Sequence, residues 1–303
     1  MYTRSNRWLR RIFGIAIAFV VLAAILWELF EPGPPTPAMW MVRDSDSTIY
    51  LFGTIHLTPP GTTWRTGRIA QAFDESGEVW LEAVDLADPK VAAAMQAVVL
   101  KHGFDRAHPL SGKLSPEVHE RVVEAARDAG LPPAALETMR PWLAALALSM
   151  GPLIKDGHDA KKGVDLVLEA DARQSRKVVK GFETAEQQVM FFANLSPEVE
   201  RAFLEQTVRG AKSLRECFEQ LADAWEHGDV EALDKLINGS IRTETPELYD
   251  TLIARRNAAW SDKIAGMMQG SGTIFIAVGV GHLVGEQGLP ALLAARGFEV
   301  HPD

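Results

Sequence analysis

Two stretches near opposite ends of the 303-residue chain carry one pattern, TIYLFGTIHL at 48–57 and TIFIAVGVGHL at 273–283. Each is a short apolar run that closes on Gly-x-x-His, first at Gly53 to His56 and again at Gly279 to His282. Short apolar runs bounded by glycine read as buried strands. A glycine at the strand end lets the backbone turn sharply and present the next side chain at the sheet edge. Each strand is followed by a Gly/Pro-containing loop, a helical pattern and a further strand, EVWLEAV at 78–84 or FEVH at 298–301. The pattern predicts an α/β fold whose central β-sheet is built from two strand–GxxH–helix–strand halves. A large helical insertion, about residues 86–270, separates them.

Within that insertion the boundaries are marked chemically. Ser115-Pro116, Ser196-Pro197 and Thr245-Pro246 each pair an N-cap residue with proline at the first helical position. Gly130 closes the first of these helices. Pro141 breaks the apolar stretch 131–150 into a kinked helix or two helices. Residues 163–175 form an amphipathic helix and KVVKGF at 177–182 a short strand. Ahead of the body, Asp44-Ser45-Asp46 joins two strands in a hairpin.

The first 38 residues differ in kind. Residues 1–11 are basic, with Arg4, Arg7, Arg10 and Arg11. Residues 12–30 are apolar enough to cross a bilayer, and the Pro-rich 31–38 read as a linker to a 39–303 domain. With arginines on the cytoplasmic side, the expectation is a single-pass inner-membrane protein with an extracytoplasmic, periplasmic body. A cleaved signal and a soluble periplasmic body form the second reading.

Charge narrows the function classes. The chain carries 31 Lys and Arg against 40 Asp and Glu, a formal net charge of −9. An acidic body does not suit a sequence-independent nucleic-acid binder. The lone Cys217 excludes an intrachain disulfide and thiolate clusters. No G-x-S-x-G elbow, Walker loop, H-E-x-x-H or complete G-x-G-x-x-G is present.

What remains is the sheet edge. His56 and His282 each follow a strand, and Glu82 lies near the end of another, where ligands gather in open α/β sheets. Two imidazoles and a carboxylate form a donor set suited to Mn, Co, Fe or Zn, with Asp85 as a spare ligand. Such an ion lowers the pKa of bound water and polarises a carbonyl. Glu82 either ligates the ion or activates the water. Trp64 and Trp80 either line a pocket or pack in the core.

YLFGTIHL (50–57), VWLEAV (79–84), GVDLVLEADARQSRKVVKGFETAEQQV (163–189), ELYDTLIARRNAAWSDKI (247–264) and IFIAVGVGHLVGEQGLPALLAARGFEV (274–300) together resemble the TraB/PrgY/GumN family. The GumN-like bacterial branch is the nearest. That family looks related to Tiki-type metalloproteases and to the erythromycin-esterase and ChaN-like group. The resemblance implies His56, Glu82 and His282 as the metal or catalytic centre. It also draws in Glu183, Gln187, Arg256 and Asn257 as further site residues. Arg256 would hold a substrate carboxylate or an oxyanion, and Asn257 would supply a neutral donor. Glu183 either orients a histidine or favours a helix N-terminus. Phe182 stands where the family usually has leucine.

The expected function is thus a membrane-anchored, metal-dependent hydrolase, a peptidase in the first instance. The alternative is a non-catalytic envelope accessory protein linked to polysaccharide export or the sequestration of signalling peptides. Its partners would be a peptide or envelope substrate, the membrane and an envelope protein, with no nucleic acid.

Overall fold

The hairpin expected at the start of the body is present. In the computed structural model, which describes residues 35–59, 62–65, 67–158 and 162–303, β1 (Met39–Arg43) runs antiparallel to β2 (Ser47–Thr54). The Asp44 carboxylate accepts the Ser47 N–H at 2.8 Å and fixes the turn. β3 (Glu78–Leu81), β4 (Val178–Gly181), β5 (Gly272–Gly279) and β6 (Val300–Pro302) complete a six-stranded sheet in the order β4-β3-β5-β2-β1-β6. β4, β3, β5 and β2 are parallel, and β1 is antiparallel to both its neighbours.

The two echoing strands are therefore adjacent, in register from Ser47↔Gly272 to Thr54↔Gly279. The halves they begin are not equivalent. β3 pairs in the parallel centre, whereas β6 lies at the far edge beside β1. β4, from within the mostly helical stretch, joins the sheet beside β3.

The longer helices are α1 (Gly67–Glu75), α2 (Pro89–His102), α3 (Pro116–Asp128), α4 (Pro141–Lys155), α5 (Val164–Gln174), α6 (Ala185–Ala193), α7 (Pro197–Gly210), α8 (Leu214–Glu226), α9 (Arg255–Met267) and α10 (Leu289–Ala295). Ser115 and Ser196 cap α3 and α7 as their serine-proline pairs imply. Of the two outcomes expected over 131–150, the structure has two helices and no kink at Pro141. A short one spans Pro133–Leu136, and Pro141 then begins α4 at its first turn, where its missing N–H is no loss. The Thr245-Pro246 pair opens only the short helix Pro246–Tyr249, without a side-chain cap, and the chain then widens into a π-helical turn at Asp250–Ala254.

Period-two alternation sends the strand side chains into two separate cores. Phe52 and Phe275 face α1, α5 and α8, packing with Phe73, Leu168 and Trp225. Leu51, Ile276 and Val278 face α9 and α10, with Trp260, Ile264 and Leu293. Burial on both faces is what a parallel centre requires, and it explains why these strands read as continuous apolar runs. A third core joins α3, α4 and α7 through Ala126, Leu148 and Leu204.

Thr36–Asp303 form one compact unit. The linker's last residues are tied to it: Thr36 N–H donates to the Glu226 carbonyl at 2.7 Å, and Arg68 donates to the Pro37 carbonyl at 3.1 Å. The inner-membrane placement is corrected here. Among the described residues no helix is long and apolar enough to cross a membrane. The basic 1–11 segment and the 12–30 span on which that expectation rested lie outside the described residues.

Candidate active site

Three parallel strands end together, and the chain delivers one polar side chain after each. Glu82 follows β3 directly, His56 lies two residues past β2 and His282 three past β5. They converge on Gly279. A Cβ placed there would come within 2.9 Å of Glu82 Oε1, 3.9 Å of His56 Nε2 and 3.9 Å of His282 Cδ2. Only glycine leaves the carboxylate its place, and the Gly279 N–H donates to Glu82 Oε1 at 2.7 Å.

Arg256 occupies the middle of the cluster. It enters from α9, just after the π-helical turn, and its Nη1 donates to the Leu252 carbonyl of that turn at 2.8 Å. π-turns of this kind recur at functional sites. Nε and one Nη2 hydrogen donate to the two Glu183 oxygens at 2.8 and 2.9 Å, a bidentate pair. Nη2 also reaches Glu82 Oε2 at 2.6 Å, and Nη1 donates to His282 Nε2 at 2.9 Å. All five guanidinium donors are thereby used. The cation lies between the faces of Trp260 and Phe191, 4.7 and 5.2 Å from their centroids.

Asn257, the next residue, fixes His282. Its Oδ1 lies 2.6 Å from Nδ1, and its Nδ2 donates to the carbonyls of His282 and Gln287. Nδ1 therefore carries the proton, leaving the Nε2 lone pair to accept from Arg256. Burial lowers the pKa of His282 to about 3, with the Arg256 charge acting in the same direction against the attraction of Glu82. The ring is neutral at neutral pH.

Burial alone would raise the pKa of Glu82, but neighbouring positive charge holds it at about 2. Because His282 is neutral above that range, Arg256 is the lasting cause, helped by His56 and the Gly279 N–H. Gln188, from α6, donates to Glu82 Oε2 at 3.1 Å. This carboxylate stays ionised and is no proton acceptor at neutral pH.

The geometry allows the fit of the expected metal set to be judged from its donors. A metal on His282 needs the Nε2 lone pair that Arg256 takes, and a second cation would face the guanidinium. Among the described residues no three His, Cys, Asp or Glu side chains are grouped to hold an ion. The set His56, Glu82 and His282 meets, but as arranged it does not fit Mn, Co, Fe or Zn. Asp85 is turned away with φ +62° and pairs with Arg173 at 2.5 Å.

His56 is the member that faces solvent, with its side chain 63% exposed. Its Nδ1 lies 3.4 Å from Asp165 Oδ1 in the first turn of α5, an ion-pair distance beyond a good hydrogen bond. Asp165 first, and Glu82 after it, raise the His56 pKa, and the ring's exposure screens part of that effect.

Gln187 does not reach the cluster. It closes a capping box with Thr184 at the start of α6 and lines a groove beside the site. That groove, about 740 Å³, runs between α6, α7 and α9, with Phe182, Met190, Phe191 and Trp260 among its walls. Glu183 and Arg256 form the wall it shares with the cluster. Trp64 stacks on Phe52 within the core, and Trp80 packs on Phe182. Cys217 is exposed on α8, apart from the site. Sequence reasoning missed Asp165, Gln188 and Thr54. Asp165 sits in the GVD start of α5, where an acid reads as ordinary helix-terminal charge.

The chain resembles proteins of matching length. It is 26% identical over 270 residues to the uncharacterized protein YbaP of Escherichia coli (strain K12), covering 88% of this chain and 96% of that one. To the protein of the same name from Shigella flexneri it is 29% identical over 270 residues, with the same coverage. No solved structure matches it. The family model for TraB/PrgY/gumN aligns with residues 38–302, and the chain belongs to the TraB/PrgY/gumN family.

Proposed function

We propose that this protein hydrolyses an amide or ester bond, a peptide in the first instance, with His56 as its proton-transfer group. The observation that carries the reading is the position of His56, solvent-facing, backed by a carboxylate and set over a buried cluster of fixed charge. Glu82 and Glu183 outweigh Arg256 by one negative charge, and Asp165 adds another. That excess stabilises the imidazolium formed when His56 takes a proton from water. The resulting hydroxide attacks the substrate carbonyl carbon, the carbon–nitrogen or carbon–oxygen bond breaks, and the same proton passes to the leaving group. Water is consumed and His56 is regenerated. The groove beside the cluster receives the substrate's apolar flank, a volume within the roughly 300–1,000 Å³ usual for ligand sites.

The test is turnover of chromogenic peptide anilides and phenyl esters by the purified chain. His56→Ala should lose about 10²- to 10⁴-fold in kcat/KM. Equal turnover by wild type and His56→Ala would defeat the reading.

A second reading has its own observation. Every donor of Arg256 is already engaged, so the cluster offers no free guanidinium to a developing oxyanion. That favours a non-catalytic peptide-binding protein whose ligand lies in the groove. Peptide capture undiminished in His56→Ala, with no turnover of any substrate, would select it.

A further inference from the structure

A void of about 20 Å³ lies between the end of β2 and the start of α5, beside Glu82 and Gln188. Two of the oxygens associated with it are buried and have no protein hydrogen-bond partner, Thr54 Oγ1 and Asp165 Oδ1. Thr54 is 1% exposed. Buried polar groups are almost always paired, and a pair of orphans at one small void points to a common partner. We propose that the void holds one ordered water that bridges Thr54 Oγ1 and Asp165 Oδ1, making Thr54 and Asp165 positioning residues for the His56 ring.

Size and chemistry agree on the occupant. A single water needs roughly 10–15 Å³ of such space and two to four polar partners. The void meets the first requirement, and its two orphan oxygens meet the second. It is too small for substrate. A hard cation takes about six to eight oxygen ligands, far more than converge here. The water donates one hydrogen to Asp165 Oδ1 and accepts from the Thr54 hydroxyl. Its other hydrogen is free for the lining oxygens of Glu82 or Gln188.

The consequence concerns His56. Asp165 Oδ1 is also the oxygen 3.4 Å from His56 Nδ1. A carboxylate tied through water to the rigid end of β2 holds its rotamer, and the exposed ring keeps its direction against it. The positioning role rests on the reading of His56 as the reacting group; the water does not.

The experiment is a crystal structure of the full chain at a resolution that shows ordered waters, with Thr54→Val and Thr54→Ser beside wild type. Valine keeps the shape and removes the hydroxyl; serine keeps the hydroxyl. One water within hydrogen-bond distance of both oxygens is expected in wild type and Thr54→Ser, and none in Thr54→Val. On a turned-over substrate, Thr54→Val should lower kcat about tenfold at unchanged KM, with Thr54→Ser restoring it. The ring ¹⁵N shifts of His56 should show one dominant tautomer in wild type and a mixture in Thr54→Val. Density without a water, or with a metal ion, overturns the bridge. Wild-type kcat and an unchanged tautomer in Thr54→Val overturn the positioning role. Equal turnover by wild type and His56→Ala defeats His56 as the reacting group and the positioning role with it, while the density still decides the water.

Discussion

Arg256 is the residue on which most of the site's electrostatics depend. It neutralises two buried carboxylates, satisfies His282 and packs between two aromatic faces. Removing it leaves Glu82 and Glu183 charged and unpaired, so Arg256→Met should cost about 3–5 kcal/mol of folding stability, read as a lower urea midpoint. Replacing an exposed arginine such as Arg255 should change the midpoint little. His56 makes a different prediction, through pH. If it acts as a base, kcat/KM rises as the ring loses its proton, on the alkaline side of 6.5, because neighbouring carboxylates raise its pKa. Asp165→Asn removes the main cause, so the rising limb should move toward lower pH. An unmoved limb would mean that Asp165 does not govern the ring.

Elements decide where these residues can stand. The apolar runs at 48–53 and 273–278 made β2 and β5 legible, since strands buried on both faces cannot alternate. The proline-led helices were legible from their caps. The neighbour relations were not. Two similar halves suggest equivalent roles, yet β5 lies between β2 and β3, and β6 pairs at the outer edge. Strand partners are chosen by long-range packing that no local window contains. The same holds in the site. Strand-end position picked out His56, Glu82 and His282, and family resemblance added Glu183, Arg256 and Asn257. Neither revealed that Arg256 would bond both His282 Nε2 and Glu82. Gly279 tests the element scale directly. Gly279→Ala puts a methyl 2.9 Å from Glu82 Oε1 at the end of β5, and the carboxylate must move. The expected cost is about 1–3 kcal/mol. Far-ultraviolet circular dichroism should stay native while hydrolysis falls.

At the scale of the whole molecule, the buried cluster sets the response to acid. His282 titrates near 3 in the folded chain against 6.5 for the free side chain, and Glu82 near 2 against 4.5. In both cases the unfolded chain binds protons first as pH falls, so acid favours unfolding. These contributions are fully present above about pH 6.5. His282's is lost progressively from there down to about 3, and Glu82's from 4.5 to about 2. His56 has the opposite sign: its raised pKa stabilises below 6.5 and fades as pH rises through about 9, weakly because the ring is exposed. Urea unfolding at pH 7, 5 and 4 should show falling stability, with the loss between 7 and 5 reduced in His282→Gln. Equal stability at pH 7 and 5 would contradict this account of His282.

The pairing of β2 with β5 has a consequence in time. Thr54 and Gly279 are partners in the sheet, yet nearly the whole helical region is synthesised between them. Contacts so distant along the chain form slowly, after the local helices. A growing chain holds β2, β3 and Glu82 early, but it has no central strand until residues 272–279 emerge. Until then the apolar edges of β2 and β3 are unpaired and prone to association. The centre is consequently a late event, and no product that stops short of His282 can contain it.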